Sequence, residues 1–116
     1  MSEGLRVLVC GGRYYKDRAR VWKLLDGIHR KHGIAVVIEG RCPHGGADLH
    51  AQSWAEDRGV ENLGFPMVGR AGPARNTRML KEGRPTHCLS FPGGTGTADM
   101  TRKAIAALGE QRVHRV

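Results

Sequence analysis

Short runs of β-forming residues return along this chain at an almost constant interval. LRVLVC at 5–10 and IAVVIE at 34–39 are the clearest, and weaker runs begin near 60, 86 and 112, so the starts are 29, 26, 26 and 26 residues apart. An interval of that size leaves room for one helix between successive strands. It therefore predicts an α/β fold with a parallel sheet of about five strands, right-handed crossovers and helices on both faces.

The segments between these runs have the hydrophobic spacing of amphipathic helices. We expect helices near 18–32, 46–58, 73–82 and 97–108, the first capped by Asp17 and followed by Gly33, and the third closed by Gly83. The inward positions are predicted to be Val21, Leu24, Leu25, Ile28 and His32 in the first helix, Ala47, Ala51, Trp54 and Ala55 in the second, and Thr101, Ala104, Ile105 and Leu108 in the fourth.

The length of 116 residues fits one compact domain over 1–116. No apolar run approaches the ~18 residues of a membrane span, and glycines follow the N-terminus too soon for a signal peptide, so we expect a cytoplasmic protein without a membrane partner. Three scattered cysteines, Cys10, Cys42 and Cys88, argue against a disulfide framework and against a four-ligand zinc site.

The formal net charge of +8 predicts attraction to polyanions. Nucleic acid and a phosphorylated small molecule both have the required charge, so net charge alone does not choose between them. The six Phe, Tyr and Trp residues are few and scattered, and no base-stacking platform for single strands can be drawn from them.

Four glycine-rich segments follow strands of the predicted sheet, where parallel doubly wound sheets bind ligands. Gly11, Gly12 and Arg13 follow the first strand, and bare backbone there would let a phosphate approach while Arg13 adds a charge-assisted bond. The alternative is a structural turn with a solvated arginine.

The second segment, EGRCPHGGAD at 39–48, joins the second strand to its helix. Asp48 falls in the first helical turn, where the helix dipole favours a carboxylate, so a capping role is the alternative to ligand binding. Cys42 and His44 lack convincing third and fourth partners, and we assign no metal.

The third segment, AGPARN at 71–76, places Arg75 and Asn76 in the first turn of a helix that Gly72 and Pro73 begin. Both side chains suit a phosphate or a ribose, although a solvated surface arginine is the alternative for Arg75.

The fourth segment, PGGTGTADM at 92–100, is the most specific. It follows a strand and opens a helix, so its glycines can expose successive amides to an anion at the positive end of the helix dipole. It lacks the Gly-Lys-Ser/Thr ending of a P-loop and the spacing of the dinucleotide fingerprint. The residues expected to contact the ligand here are Pro92, Gly93, Gly94, Thr95, Gly96 and Thr97.

With these four motifs in this order, the sequence resembles the Rossmann-like SLOG superfamily, which holds the Lonely Guy phosphoribohydrolases and the Smf/DprA proteins. It is most similar to the small YspA-like (YAcAr) family. The resemblance implies a three-layer Rossmann-like fold and a nucleotide-type ligand, such as a nucleoside monophosphate, ADP-ribose or an NAD-derived molecule, across the ends of strands one and four. It extends the expected ligand-binding set to Glu39, Gly40 and Gly46, beside Gly11, Gly12, Arg13, Asp48, Arg75, Asn76 and the residues from Pro92 to Thr97.

The resemblance leaves the activity open. Lonely Guy enzymes read PGGxGTxxE, and their Glu and an earlier Arg are tied to cleavage of the N-glycosidic bond, whereas Met100 stands at the Glu position here. Arg75 resembles the family's Arg in placement, and Asp99 is the nearest acid, so these two are the candidate catalytic residues. A nucleotide-binding or sensing domain is our first interpretation, a phosphoribohydrolase the second, and DprA-like nucleic-acid binding the third. No further cofactor is expected, and related families imply a homodimer, with the apolar faces of the second and fourth helices as its seam.

Overall fold

The computed structural model describes residues 4–69 and 71–116, in which strands and helices alternate. A short 3-10 helix, Glu110–Arg112, precedes the last strand. The elements are β1 Leu5–Cys10, α1 Arg18–His32, β2 Ile34–Glu39, α2 Gly46–Arg58, β3 Glu61–Gly64, α3 Gly72–Gly83, β4 His87–Ser90, α4 Thr95–Leu108 and β5 Val113–Arg115.

The five strands form one parallel sheet in the order β3-β2-β1-β4-β5. In the central strand, Val7 pairs with Val37 of β2 on one side and with His87 of β4 on the other. The strand order reverses between β1 and β4, which is the switch point at which sheets of this kind open a crevice. The predicted three-layer Rossmann-like α/β fold is confirmed.

Alternate residues of β1 pack against different helices, as the period of a buried strand requires. Val7 and Val9 belong to the core layer that contains α1 and α2, whereas Leu8 and Cys10 belong to the layer that contains α3 and α4. The fully buried Trp54 fills the first layer and satisfies its indole by donating to Asp26 Oδ1 at 2.8 Å.

The ends of α1 follow the sequence prediction. The Asp17 carboxylate accepts a hydrogen bond from the Arg20 amide at 3.0 Å, and Gly33 follows the helix at φ 76°. His32 was expected to face inward but is exposed, because α1 ends at this residue and the chain turns into β2 at Ile34.

The end of α3 departs from the prediction. Gly83 was expected to close the helix, but it is the last helical residue, and Arg84 takes the left-handed conformation at φ 49°. Gly83 is buried, and a Cβ there would come within 3.0 Å of Ile38 Cγ2. Close packing on β2 therefore favours glycine at this position, while the following arginine takes the left-handed conformation in which glycine is more usual.

The α2 face proposed as a dimer seam is in the core of this chain. Its four apolar residues are fully buried against the sheet, so they are not available to a second copy: Ala47, Ala51, Trp54 and Ala55. The prediction of this seam is wrong for α2, because the sheet needs that face to complete its own layer. Among the described residues, no helix is long and apolar enough to cross a membrane.

Candidate functional site

An open cleft of about 690 Å³ lies at the carboxyl ends of β1 and β4. Its volume is in the range of small-molecule sites, ~300–1,000 Å³. Its walls come from the segment after β1, the loop before α2, the first turns of α3 and the segment that begins α4. The lining residues are Cys10, Gly11, Gly12, Arg13, Tyr14, Tyr15, Cys42, Asp48, Arg75, Asn76, Met79, Pro92, Gly93, Gly94, Thr95, Gly96, Thr97 and Met100.

Some of the cleft glycines are required by packing. A Cβ at Gly11 would come within 2.6 Å of Ala47 Cβ, and Gly12 donates its amide to the Pro92 carbonyl at 2.9 Å. A Cβ at Gly93 would lie 2.6 Å from the Gly12 nitrogen. The loops after β1 and β4 therefore touch through bare backbone, which forms the floor of the cleft.

Two other glycines face open space. Nothing lies within 4 Å of a Cβ placed at Gly94 or at Gly96. Packing inside the chain therefore gives no reason for glycine at these two positions. A ligand that approaches the backbone closely would supply one.

The N-terminus of α4 opens into this space without a side-chain cap. Gly94 is the N-cap. The first intrahelical hydrogen bond is donated by the Ala98 amide to the Gly94 carbonyl at 3.0 Å. The amides of Thr95, Gly96 and Thr97 precede that bond and need other acceptors. With the positive end of the helix dipole behind them, these amides are arranged as donors that could bind an anion.

Arg75 brings a positive charge to the opposite wall of the cleft. Its guanidinium donates from Nη1 to the Gly40 carbonyl at 2.7 Å and from Nε to Asn76 Oδ1 at 2.9 Å. Gly40 is the position after β2, where a Cβ would collide with this guanidinium. Arg75 therefore connects α3 to the end of β2 by a hydrogen bond and places a positive charge in the cleft.

Two buried carboxyl groups lie beside Arg75. Asp48 lines the cleft and is 8% exposed, whereas Glu39 ends β2 and is fully buried. Burial raises the pKa of Asp48 to about 7, the charge of Glu39 raises it too, and Arg75 offsets them only in part. Burial also raises the pKa of Glu39.

Glu39 is only partly satisfied. Its Oε1 accepts a hydrogen bond from the Arg41 amide at 2.5 Å, while its Oε2 is buried without a hydrogen-bond partner among the described residues. The Arg41 guanidinium is 3.7 Å from that oxygen. An unpartnered buried oxygen favours the neutral form of the acid, which is the same direction as the effect of burial on the pKa of Glu39.

Asp99 is placed differently. It does not line the cleft, and its carboxylate accepts from the Asn76 amide at 3.0 Å and pairs with Lys103 at 3.0 Å. The Asn76 hydrogen bond lowers the pKa of Asp99, and Lys103 and Arg102 add to the effect. This carboxylate is thus ionised, and its oxygens are occupied by contacts with neighbouring side chains.

The comparisons with known proteins agree with this architecture. The sequence model described as "YspA, cpYpsA-related SLOG family" (YAcAr) matches residues 5–67, which carry β1, β2 and the first two glycine segments. The chain belongs to this SLOG family.

A phage relative extends the similarity beyond the matched segment. The chain is similar to the "Gene 61 protein" of Mycobacterium phage D29, with 36% identity over 117 aligned residues that cover 88% of this chain and 90% of the relative. No solved structure matches the chain significantly. At a coarse level, membership of the SLOG family indicates nucleotide-related binding.

Most residues predicted from the SLOG motifs meet in the cleft, but four do not line it: Glu39, Gly40, Gly46 and Asp99. Gly46 has φ 78°, and a Cβ there would collide with the Gly12 carbonyl, so it serves the contact between the loops. The alternative of a capping role for Asp48 is wrong, because Gly45 is the N-cap of α2 and no side chain caps that helix.

Sequence reasoning missed several lining residues of this SLOG domain. Tyr14 and Tyr15 follow the first motif by one and two positions, and Tyr15 packs its ring on Phe91 with centroids 5.2 Å apart. Proximity to GGR was the available signal for both tyrosines. Among residues 4–69 and 71–116, no group of three or more His, Cys, Asp or Glu side chains is arranged to hold a metal ion.

Proposed function

We propose that this SLOG protein binds a phosphorylated nucleoside, with the phosphate at the N-terminus of α4. The observation that carries the proposal is the uncapped start of α4, where Gly94 and Gly96 face open space in the cleft. Backbone amides that point into a cleft at the positive end of a helix are a common way to hold a phosphate. The family assignment supports a nucleotide-type ligand independently of this geometry.

The nucleoside part would extend from α4 toward Asp48, while the fixed cation of Arg75 would contact the phosphate from the opposite wall of the cleft. The carboxyl group of Asp48, with a pKa of about 7, can donate or accept hydrogen bonds to ribose hydroxyls or to a base. Tyr14 and Tyr15 add aromatic surface to the lining of the cleft. The arrangement suits a nucleoside monophosphate, ADP-ribose or an NAD-derived ligand.

The test is calorimetric titration with the four nucleosides, their monophosphates and ADP-ribose, with native mass spectrometry of the purified protein. We expect at least one phosphorylated nucleoside to bind ten times or more tightly than its parent nucleoside. Equal affinities of the nucleotides and their parent nucleosides would show that the site does not bind the phosphate. Native spectra would also report whether the protein is a homodimer, which is a further part of this proposal.

A second function is favoured by one specific observation. Asp48 is a carboxyl group in the cleft whose raised pKa matches that of a general acid working near neutral pH. A phosphoribohydrolase needs such an acid or a carboxylate near the ribose, and water as the co-reactant. If this chain cleaves an N-glycosidic bond, Asp48 fits the role better than Asp99 does.

A further inference from the structure

The positive charge of this protein is concentrated on one element. Residues 13–32 contain seven Lys and Arg against two Asp, whereas the rest of the chain contains 12 Lys and Arg against nine acidic residues. This segment is the end of the β1–α1 loop and the whole of α1. It therefore supplies most of the net charge in a small part of the surface.

The basic side chains of α1 lie along one exposed stripe. Arg20, Lys23, Arg30 and Lys31 are all exposed, and at 100° per residue they fall within an arc of about 100°. From first to last they span about 16 Å along the helix axis. We call these four residues the α1 basic stripe.

The acids of α1 and its cap are hydrogen-bonded to other groups, although Asp26 is close enough to Arg30 for electrostatic attraction. Asp17 caps the helix, and Asp26 accepts hydrogen bonds from Trp54 and from Arg58. No salt bridge between described residues involves any member of the stripe. The four cations are therefore available to a partner.

The centre of the stripe is bare. Gly27 lies on the same arc, and nothing is within 4 Å of a Cβ placed there. Glycine in a helix interior costs ~0.5–1 kcal/mol relative to alanine. It leaves a shallow gap in which an extended anionic chain could reach the helix backbone between cations on either side.

We propose that the α1 basic stripe binds the phosphodiester backbone of a nucleic acid, as a site separate from the cleft. A regular row of cations with a gap at its centre fits a row of phosphates, and four such contacts suit a weak, sequence-independent interaction. A membrane is the less favoured partner. The apolar residues Val21 and Leu25 of α1 are in the core, so the helix has no free apolar face to insert.

The test is fluorescence anisotropy with labelled 20-nucleotide single-stranded RNA, single-stranded DNA and duplex DNA between 50 and 200 mM salt. For four phosphate contacts we expect log K to fall with log salt at a slope of about −2.8 for single strands to about −3.6 for duplex DNA, which is about a 50-fold to 150-fold loss over this range. The three probes distinguish which nucleic acid supplies the backbone.

The variant Lys23→Gln/Arg30→Gln should remove about half of that slope. The matched control Lys81→Gln/Arg112→Gln removes the same charge from exposed positions outside α1 and should leave the slope as in the wild type. Equal effects of the two variants would mean that binding depends on the net charge of the protein and not on the α1 basic stripe, and they would overturn the proposal.

Three other outcomes would also overturn it. One is the absence of binding to all three nucleic acids at 50 mM salt. Another is binding only to vesicles that contain phosphatidylserine. The third is displacement of a bound oligonucleotide by millimolar AMP, which would place the nucleic acid in the cleft instead of on the stripe.

Discussion

The side-chain amide of Asn76 donates to Asp99 Oδ2 at 3.0 Å and, from the same nitrogen, to the Gly96 carbonyl at 3.2 Å. One buried residue of α3 thus fixes both the first turn of α4 and the acid that follows it. The contact explains why Asp99 is beside the motif in sequence but not on the wall of the cleft. It also connects α4 to α3, the helix that carries Arg75.

The glycine at the start of α4 gives the first prediction. Gly94→Asp places a negative charge where the phosphate is proposed to bind, and the mutant should remain folded because φ is −94° and the position faces open space. We expect calorimetry to show a loss of at least ~100-fold in affinity for the phosphorylated nucleoside, about 2.8 kcal/mol.

Gly27→Asp is the matched control for this change. It introduces the same residue at another open position, in α1 and outside the cleft lining, so nucleotide affinity should be retained. Unchanged binding in the Gly94→Asp protein would show that the phosphate lies elsewhere.

Arg75 gives the second prediction. Arg75→Ala should weaken binding of a phosphorylated ligand by about 1.5–3 kcal/mol and should affect the parent nucleoside much less, since the lost bond is to a charged group. The variant should also be less stable, because the guanidinium donates to the carbonyls of Gly40 and Phe65.

A neighbouring arginine provides the control for the predicted loss of ligand affinity. Arg78→Ala, on the same helix, removes an exposed side chain that pairs with Glu82 and does not line the cleft. Its ligand affinities should match those of the wild type in calorimetry. Equal weakening of nucleotide and nucleoside in Arg75→Ala would mean that Arg75 does not contact the phosphate.

The sequence predicted the elements with strong local signals. Asp17 and Gly33 mark the ends of α1 because capping chemistry is local, and the same holds for the glycine cluster that begins α4. Arg84 could not be predicted as the left-handed residue after α3. The reason lies in the distant Ile38 on β2, whose side chain is so close to Gly83 that glycine is favoured there.

The cleft was predicted in position but not in the roles of its residues. Sequence shows a row of glycines, yet only the fold distinguishes Gly93, which packs on Gly12, from Gly94, which is open. Likewise, Asp48 and Asp99 each follow a glycine motif. Their difference in pKa arises from burial near Glu39 in one case and from the Asn76 hydrogen bond in the other, and neither contact is local.

The raised pKa of Asp48 predicts how stability depends on pH. Between an unfolded pKa near 4 and a folded pKa of about 7, the folded protein binds more protons than the unfolded chain, so this group makes stability fall as pH rises through that window. The raised pKa of Glu39 acts in the same direction. Above pH 7 the full cost of ionising Asp48 is present.

Asp48→Asn removes that ionisation. We expect its free energy of unfolding in urea, relative to the wild type, to rise by about 2.6 kcal/mol between pH 5 and pH 8, because the two pH units between pH 5 and the folded pKa each cost the wild type ~1.4 kcal/mol. Glu61→Gln, which removes an exposed carboxylate, is the control and should follow the wild-type curve. Parallel curves for all three proteins would show that Asp48 is ionised throughout.

The last prediction concerns catalysis, because the cleft has the glycines proposed to bind phosphate, while Met100 stands where the Lonely Guy motif has its Glu. We expect chromatography to detect no free base above background when the protein is incubated with a panel of nucleoside monophosphates, and Asp99→Asn to leave that result unchanged. Asp99 is ionised, hydrogen-bonded to Asn76 and outside the cleft lining, so it is poorly placed to stabilise an oxocarbenium-like state. Stoichiometric release of base and ribose 5-phosphate by the wild type would contradict the expectation, and the variants would then assign the acid. A loss of ~100-fold or more in Asp48→Asn alone would identify Asp48 as the acid of a hydrolase, whereas the same loss in Asp99→Asn alone would return that role to Asp99.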